Sequence, residues 1–482
     1  MKFEVAPQSD PKVGSKVASK SVSKTGPNHP KIGRKEERSN MRIRFYNARI
    51  ITFAEQQTTG ELDRNIIDGE LWTEDNKIIY VGKTPAEPAG SAQDPARATL
   101  PSFNREIDVQ GNLILPGFKD AHTHSAMTFL RSYADDLPLL EWLHQQVFPL
   151  EAKLQPQDIY WCSRLAVLEY LSSGITTIFD MYFYPENFVQ AMIDSNYRAV
   201  LVSALNNFYS SVANMEEEYH RYNNTNPLIS YFLGFHAEYT TSLDLLRQIA
   251  ALANKLQAPV YMHSSESAQE VKDCLSRYEL TPTVLFDRLG IYNYGGGAYH
   301  CIHMSDEDLR IFKERKLSIV TNPASNCKLA SGIAPVCKIL EQGINLAIGT
   351  DGPASNNALD MFREMFLVTA LAKIREKDAA CVPAQQVLQM ACVNGAEALN
   401  LKAANSLQVG KLADLIILDL QQPNMQPLNN IVKNVVYSGS KSNVLLTMVD
   451  GKILYEKGQY AANFDVERIY YEVNKVIKRV KS

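Results

Sequence analysis

Short apolar runs alternate with segments of helical periodicity through the middle of the chain, and this order limits the fold more than any other feature. The eight runs are LILPGFKDAHTH, TTIFDMYF, RAVLVSAL, LISYFLGFHA, PVYMHSSE, GAYHCIH, LSIVTNP and INLAIGTDG. Strands that alternate with helices pair in parallel, because each helix returns the chain to the same end of the sheet. Eight such units favour a closed barrel over an open sheet. We therefore predict an α/β fold with a TIM-like (β/α)8 barrel over residues 113–404.

The segments on either side of this region are rich in strand patterns. Residues 41–112 contain RIRFYNARIITF, ELWTEDNKIIYVGK and REIDVQGNLILP, and residues 405–460 contain KLADLIILDL, NVVYSG and NVLLTMVDGKILYEKGQY. Short alternating runs that are broken by Gly and Asn are typical of antiparallel sheets. We predict that both ends of the chain build one small composite β-sandwich, and that residues 461–482 form a C-terminal helix.

The first forty residues have a different composition from the rest. Residues 1–40 contain nine Lys or Arg and four Asp or Glu, with many Ser, Gly and Pro and few large apolar side chains. Such a segment cannot bury enough apolar surface to offset its chain entropy. We predict a disordered basic extension, with a targeting or anion-binding arm as the alternative.

Composition argues against several classes of protein. The net charge of −4 gives no electrostatic basis for binding nucleic acid. No apolar run reaches the roughly 20 residues that cross a bilayer, and the N-terminus lacks the apolar core of a signal peptide. Seven cysteines without a CxxC pair favour reduced thiols. We therefore predict a cytoplasmic protein that contacts neither nucleic acid nor membrane.

Polar residues occupy the carboxyl ends of the predicted barrel strands, where barrel enzymes build their active sites. These residues are His122, His124, Asp180, His236, His263, His300, Asn322 and Asp351. In a strand, alternate side chains point to the same side, so His122 and His124 are expected to project together. Two imidazoles aimed at one point form half of a metal site, although two surface histidines on a loop would have the same spacing.

The ordered motifs PGFKDAHTH, YMHSSE, YHCIH and GTDGPASNN resemble those of the amidohydrolase superfamily. The segments MTFLRSYADDLPLLEWL, FPLE, HAEYTTS and SNCKLASGIAP make the chain similar to the 5′-methylthioadenosine/S-adenosylhomocysteine deaminase family, over about residues 41–458. The resemblance implies a hydrolytic deaminase of an adenine nucleoside or its 5′-thio derivative. The substrates implied are 5′-methylthioadenosine, S-adenosylhomocysteine and adenosine.

The same resemblance implies one Zn²⁺ per subunit, with Fe²⁺ as the alternative, held by His122, His124, His263 and Asp351. Imidazole and carboxylate are suitable ligands, and a bound water would have its pKa lowered from 15.7 to about 7. Members of the superfamily that hold two metals need a bridging Lys at the end of strand 4. The run LISYFLGFHA offers none, so we predict a single metal.

The resemblance also assigns catalytic roles. Glu266 would protonate the ring nitrogen of an aminopurine while the metal-bound hydroxide attacks the carbon that carries the amine. His300 would hydrogen-bond the attacking hydroxide, and Asp351 would accept the proton of the water and relay it to the departing ammonia. The alternative for Glu266 is a surface residue that starts the next helix, capped by Ser264 or Ser265.

Three further residues are assigned to substrate binding. Glu151 in FPLE corresponds to the family's ribose-binding Glu, and His236 corresponds to its purine-contacting His. Trp142 in EWLHQQV is assigned to the wall of the pocket, with a position in the core as the alternative.

The chain departs from the family at the end of strand 3, where an Arg that helps to bind substrate is usual. Ser203 and Ala204 stand there, and Arg221 comes late. Methylthioadenosine or adenosine-like substrates therefore rank at least level with S-adenosylhomocysteine, whose carboxylate loses an expected partner.

Other functions remain open from the sequence. One is a sister amidohydrolase that acts on another aminated or chlorinated N-heterocycle, of the guanine, cytosine or s-triazine type. Another is an inactive binding protein on the same barrel, although neither a ligand nor Glu266 is missing. The expected partner is a small purine nucleoside, and the resemblance is compatible with a homo-oligomer.

Overall fold

The computed structural model describes residues 40–54, 62–85, 101–133 and 135–482. Apart from Asn40, the predicted basic extension over residues 1–40 lies outside the described residues. Residues Asn40–Ser482 form one compact unit. The predicted bounds of the parts within it, 41–112 with 405–460 and 113–404, therefore stay predictions.

The described residues form seventeen strands in two sheets. The strands are β1 (Arg42–Ile50), β2 (Ile67–Glu74), β3 (Lys77–Gly82), β4 (Arg105–Asp108), β5 (Leu113–Pro116), β6 (Phe118–Thr123), β7 (Ile175–Met181), β8 (Arg198–Val202), β9 (Ile229–Ala237), β10 (Val260–Ser264), β11 (Gly296–His300), β12 (Ser318–Thr321), β13 (Asn345–Ile348), β14 (Leu415–Leu418), β15 (Val444–Val449), β16 (Lys452–Glu456) and β17 (Gln459–Tyr460).

Helices lie between most of the barrel strands and beyond them. The α-helices of the described residues are Leu139–Trp142, Phe148–Glu151, Pro156–Ser172, Pro185–Asp194, Val212–Tyr222, Leu243–Leu256, Ala268–Tyr278, Pro282–Arg288, Asp306–Glu314, Pro323–Lys328, Val336–Glu341, Met361–Glu376, Ala384–Gln389, Gly395–Ala398, Ile431–Tyr437 and Val466–Lys481. None of the helices in this part of the chain combines the length and apolar character that crossing a bilayer requires.

Strands β6–β13 form the predicted barrel. They pair in chain order, and every pair is parallel. The first and last strands are joined near their carboxyl ends, where the backbone N–H of Asp351 donates to the carbonyl oxygen of His122 at 2.9 Å. The prediction of a (β/α)8 barrel is confirmed.

Local sequence explains the helices between the barrel strands, and the helix between β9 and β10 is an example. The helix Leu243–Leu256 begins after Ser242, whose side chain accepts a hydrogen bond from the backbone of Leu245. Its buried residues include Leu246, Ile249, Ala250 and Ala253, which lie on one helical face. The strands of the barrel are buried on both faces, because helices cover the outside of the barrel and side chains fill its interior.

Strands from both ends of the chain meet in one nine-stranded sheet, in the order β17-β16-β15-β14-β5-β1-β2-β3 with β4 beside β1. The prediction that both ends of the chain build one composite β-structure is confirmed, but the strands described there form a single sheet, where a β-sandwich was predicted. Ile114 and Ile417 belong to a core cluster on one side of this sheet, whereas Leu115 and Ile416 belong to the cluster of the barrel.

The predicted first barrel strand is divided between the two sheets. Strand β5 pairs with β1 and β14 outside the barrel, and strand β6 starts two residues after Pro116. Gly117 lies at the transition. A Cβ atom at this position would meet Cγ2 of Thr176 at 2.0 Å, so the close approach to strand β7 requires glycine here.

The prediction of a strand at NVVYSG is wrong, because this segment belongs to the helix Ile431–Tyr437. The Asn430 side chain caps the helix by accepting from the backbone of Lys433 at 2.8 Å. The distant Asp63 carboxylate accepts from the backbone of Ile431 at 2.7 Å. These caps satisfy the free N–H groups of the first turn, which a short apolar run does not reveal.

The C-terminal helix is confirmed over Val466–Lys481, slightly shorter than predicted. Ile469, Val473, Val476 and Val480 are buried on one face. The Arg479 guanidinium contacts the Asp158 carboxylate, so the helix lies against the start of the helix Pro156–Ser172.

A buried ion cluster joins the barrel to the nine-stranded sheet. Arg198, the first residue of β8, donates from Nε to the Asp414 carboxylate at 2.7 Å and from Nη2 to the Asp450 carboxylate at 2.8 Å. The Arg198 and Asp414 side chains are 4% and 0% exposed. The backbone of Asp450 also donates to Asp414 at 2.6 Å. The Arg198 guanidinium is therefore paired with two carboxylates.

We expect Arg198→Met to lower the free energy of unfolding by about 3–5 kcal/mol, because it leaves the Asp414 carboxylate buried without its partner. Arg310→Met is the matched control, since the Arg310 side chain is 55% exposed and pairs only at the surface. The control should change stability by less than about 0.5 kcal/mol. Urea denaturation of both variants measures the difference, and equal midpoints would contradict the expected role of the cluster.

Candidate active site

Four predicted ligand residues converge from the carboxyl ends of three barrel strands. His122 lies in β6 and His124 follows that strand, His263 lies in β10, and Asp351 follows β13. The Nε2 atoms of His122 and His124 lie 3.5 Å and 3.2 Å from the same oxygen, Oδ1 of Asp351. The Nε2 atom of His263 lies 3.4 Å from that of His124. The structure thus brings all four side chains together.

The donor set fits a divalent cation. The ligand atoms of His122, His124 and Asp351 all lie within 4.8 Å of one another, and so do those of His122, His263 and His300. Within the described part of the chain, neither ring nitrogen of the fully buried His122 has a hydrogen-bond partner. Buried polar atoms are nearly always paired, and imidazole nitrogens with a carboxylate are what zinc and similar ions bind.

Electrostatics prepares His122, His263 and Asp351 as ligands, whereas at His124 burial is outweighed by the Asp351 carboxylate, which raises the pKa of the imidazole to about 9. Burial lowers the pKa of His122 to about 3 and that of His263 well below its usual value, so both rings are neutral at pH 7. Burial opposes the charge on Asp351, yet the neighbouring imidazoles of His122 and His124 hold its pKa well below the usual range. Neutral imidazoles and an ionised carboxylate are the forms that bind metals.

Backbone carbonyls fix the orientation of two imidazoles. Nδ1 of His124 lies 2.6 Å from the carbonyl oxygen of Met181, and Nδ1 of His263 lies 2.8 Å from that of His236. Each Nδ1–H donates to its carbonyl, which leaves Nε2 directed at the cluster.

Several residues that support the cluster were not predicted. The hydroxyls of Ser325 and Ser355 donate to Oδ2 of Asp351 at 2.5 Å and 3.0 Å, which leaves Oδ1 for the histidines. Asp120 accepts from the backbone and the hydroxyl of Thr350, at 2.8 Å and 2.5 Å. Ser325 and Asp120 stand inside quoted motifs, but no periodicity or spacing indicates which atoms they contact.

The structure places Glu266 beside the cluster and not on the surface. Its side chain is buried, and the following helix begins only at Ala268, with Ser267 as its cap. The Glu270 carboxylate accepts from the backbone of Ser265 and Glu266 at 2.9 Å and 2.8 Å and so fixes this turn. Glu266 is therefore not the surface residue of the alternative interpretation. Burial raises its pKa above the ordinary value.

His300 lies between Glu266 and the metal ligands. Its Nδ1 lies 2.7 Å from Oδ1 of Asn326 and 3.8 Å from Oε1 of Glu266. His300 and Asp351 both have positive φ, at 68° and 59°. Non-glycine residues rarely adopt this backbone region, and such strain is found mainly at functional sites.

The three residues predicted to contact substrate lie in different surroundings. His236 lies in β9 with its ring centroid 5.0 Å from that of His263, so it adjoins the cluster. The buried Glu151 accepts a hydrogen bond from the hydroxyl of Tyr182 at 2.6 Å. The ring of Tyr182 lies 6.4 Å from that of His124. Trp142 is buried in the core cluster of the barrel, and its role in a pocket wall stays a prediction.

Comparison with known sequences gives a consistent result. The model of the amidohydrolase family matches residues 113–454. The 5-methylthioadenosine/S-adenosylhomocysteine deaminase of Caldanaerobacter subterraneus is 40% identical over 386 residues, which cover 78% of this chain and 89% of that protein. The protein of the same name from Moorella thermoacetica is 40% identical over 415 residues, which cover 84% and 94%.

Solved structures agree with this result. An adenosine deaminase from Xanthomonas campestris with bound zinc superposes with a TM-score of 0.82 at 28% identity, covering 92% of this chain and 98% of that one. An atrazine chlorohydrolase from Arthrobacter aurescens complexed with zinc has a TM-score of 0.78 at 20% identity, covering 90% and 100%, which shows a shared fold alone. As the sequence motifs predict, the chain belongs to the amidohydrolase family.

Proposed function

We propose that the chain is a metal-dependent hydrolytic deaminase of an adenine nucleoside or its 5′-thio derivative. It is a hydrolase of carbon–nitrogen bonds in cyclic amidines, and the overall reaction converts the nucleoside and water into the hydroxylated purine and ammonia. The observation that carries the proposal is the buried Glu266 carboxyl, which lies beside His300 and a four-residue ligand cluster. The names of the relatives support the substrate class.

We infer that His122, His124, His263 and Asp351 hold one Zn²⁺ per subunit, with Fe²⁺ as the alternative. A divalent cation bound there would polarise a water and lower its pKa from 15.7 to about 7, which supplies the nucleophile at neutral pH. The bound zinc of the Xanthomonas structure supports this choice of metal.

Glu266 acts on the base. Because burial raises its pKa, the carboxyl retains a proton more readily at neutral pH than an exposed Glu does. Its protonated form donates to a ring nitrogen of the purine, which draws electrons from the carbon that carries the amine. Zinc nucleobase deaminases use a Glu outside the ligand set in the same way.

His300 and Asp351 handle the attacking oxygen and its proton. Because Asn326 engages Nδ1 of His300, the other nitrogen, Nε2, remains to hold the attacking oxygen and stabilise its charge. Asp351 accepts the proton released from the water and passes it to the amine, which leaves as ammonia.

Glu151 and His236 bind the substrate. A carboxylate can accept hydrogen bonds from both hydroxyls of a ribose, and His236 adjoins the cluster, where the purine must lie. The end of β8 carries Ser203, and Arg221 is exposed and pairs with Glu186 at 2.9 Å. Neither offers a cation for an amino-acid carboxylate, so methylthioadenosine and adenosine rank at least level with S-adenosylhomocysteine.

Location and assembly remain proposals. All seven cysteines are free thiols, which supports a cytoplasmic location. We propose a homo-oligomer on the basis of the family resemblance alone.

A panel of substrates tests the function. We expect zinc-loaded protein to release ammonia from adenosine or methylthioadenosine, with the ultraviolet shift that accompanies deamination of adenine. Guanine, cytosine and an s-triazine serve as comparisons. If ammonia is released from one of these three compounds and from no adenine nucleoside, the proposed function is wrong. The chain would then be a sister amidohydrolase that acts on another N-heterocycle.

We expect His263→Ala to lose most of its bound metal after dialysis, because it removes one of the ligands. His303→Ala is the matched control, since this histidine contacts the carbonyl oxygen of Ser331 at 2.8 Å and lies outside the cluster. Elemental analysis of both purified variants gives the metal content per chain. Equal metal content in the two variants would show that His263 is not a ligand.

We expect Glu266→Gln to lower kcat by about 10²- to 10⁴-fold, because glutamine cannot transfer the proton. Bound metal should stay at the wild-type level, since Glu266 is not among the ligands. The exposed Glu217→Gln is the control and should retain full activity. A Glu266→Gln variant with more than a tenth of the wild-type kcat would rule out the proposed proton transfer.

A further inference from the structure

Glu151 depends on a single tyrosine for its orientation. Its carboxylate is buried in a short helix, Phe148–Glu151, and accepts a hydrogen bond on Oε1 from the hydroxyl of Tyr182 at 2.6 Å. In the part of the chain that the structure describes, no other side chain hydrogen-bonds this carboxylate, so Oε2 remains without a protein partner. A carboxylate on a short helix can rotate about its side-chain bonds, and one fixed oxygen removes most of that freedom.

The hydroxyl of Tyr182 is held in place by the rest of the fold. Tyr182 directly follows β7, and its ring lies 4.9 Å from that of Phe183, which lies 4.5 Å from that of Tyr209. The hydroxyl of Tyr209 accepts from the backbone of Tyr184 at 2.9 Å. The segment Tyr182–Tyr184 is thereby braced independently of Glu151, so the tyrosine can position the carboxylate and not the reverse.

The position of Tyr182 places its contact with Glu151 next to the candidate metal ligands. Its ring lies 6.4 Å from that of His124 and its hydroxyl contacts Glu151, so Tyr182 adjoins both a metal ligand and the carboxylate. Tyr182 also lines a recess with Ser203, Tyr209 and Glu218 beside the ends of β7 and β8.

We infer that Tyr182 is a positioning residue, which fixes Oε1 of Glu151 so that the free side of the carboxylate receives the hydroxyls of a ribose. The inference rests on the proposed function and deepens it, because it names the residue that orients the ribose-binding carboxylate. Tyr182 itself acts through Glu151 and transfers no proton in the reaction.

The variant Tyr182→Phe tests the inference because it keeps the ring and removes only the hydroxyl. For adenosine we expect KM to rise about tenfold with kcat nearly unchanged, as for loss of a hydrogen bond that helps binding. For a dideoxy analogue that lacks both ribose hydroxyls, KM should equal that of the wild type. In a Glu151→Ala background the same substitution should have no further effect.

Tyr184→Phe is the matched control. Its hydroxyl donates to the backbone carbonyl of Leu154 at 3.5 Å. The variant therefore removes a tyrosine hydroxyl from the segment Tyr182–Tyr184 and leaves the contact to the Glu151 side chain intact. Its KM for adenosine should remain at the wild-type value. Circular dichroism spectra of both variants identify any loss of fold.

The outcomes separate the two hypotheses. If the wild-type protein deaminates adenosine and Tyr182→Phe changes KM equally for adenosine and the dideoxy analogue, or no more than Tyr184→Phe does, the positioning role is overturned and the deaminase stands. If the wild-type protein deaminates no adenine nucleoside, the proposed function falls and the inference falls with it. A selective rise in KM for the ribonucleoside supports both.

Discussion

The hydrogen bond from the backbone of Asp351 to the carbonyl oxygen of His122 is the contact on which both the barrel and its site depend. It joins the last strand to the first, and it does so at two residues of the ligand cluster. The side chains of the same residues meet at 3.5 Å. Closure of the barrel and assembly of the donor set therefore use the same two residues.

The two ends of the barrel serve different purposes. At the amino ends of the strands, Arg198 pairs with Asp414 and Asp450 and attaches the nine-stranded sheet. At the carboxyl ends, buried polar atoms lack partners or carry shifted pKa values, as His122 and Glu266 do. Barrel enzymes commonly divide stability and function in this way. The Arg198 charge is paired at the junction of the two sheets, whereas the His122 nitrogens lack partners at the site, where a bound ion would supply one.

Much of this arrangement could be predicted from the sequence, because strand and helix periodicities differ and because metal ligands need particular residue types. The barrel and the polar residues at its rim follow from those two facts, whereas the choice of His122, His124, His263 and Asp351 as the ligand set follows from the resemblance of the motifs to the family. The hydrogen bond between Tyr182 and Glu151 could not be predicted, since it depends on how a loop helix lies against a distant strand end. The helix at NVVYSG was missed for a similar reason, because one of its caps comes from Asp63, far away in the chain.

The link at Gly117 also constrains how this chain can change. A single residue separates a strand of the outer sheet from the strand that carries His122, and Gly117 itself is pressed against Thr176. Side chains in a strand alternate, so one inserted residue would turn both histidines away from the interior. The position of β5 in the outer sheet therefore fixes the register of β6 in the barrel. Insertions and deletions are free to accumulate in the loops, but this crossing has a fixed length.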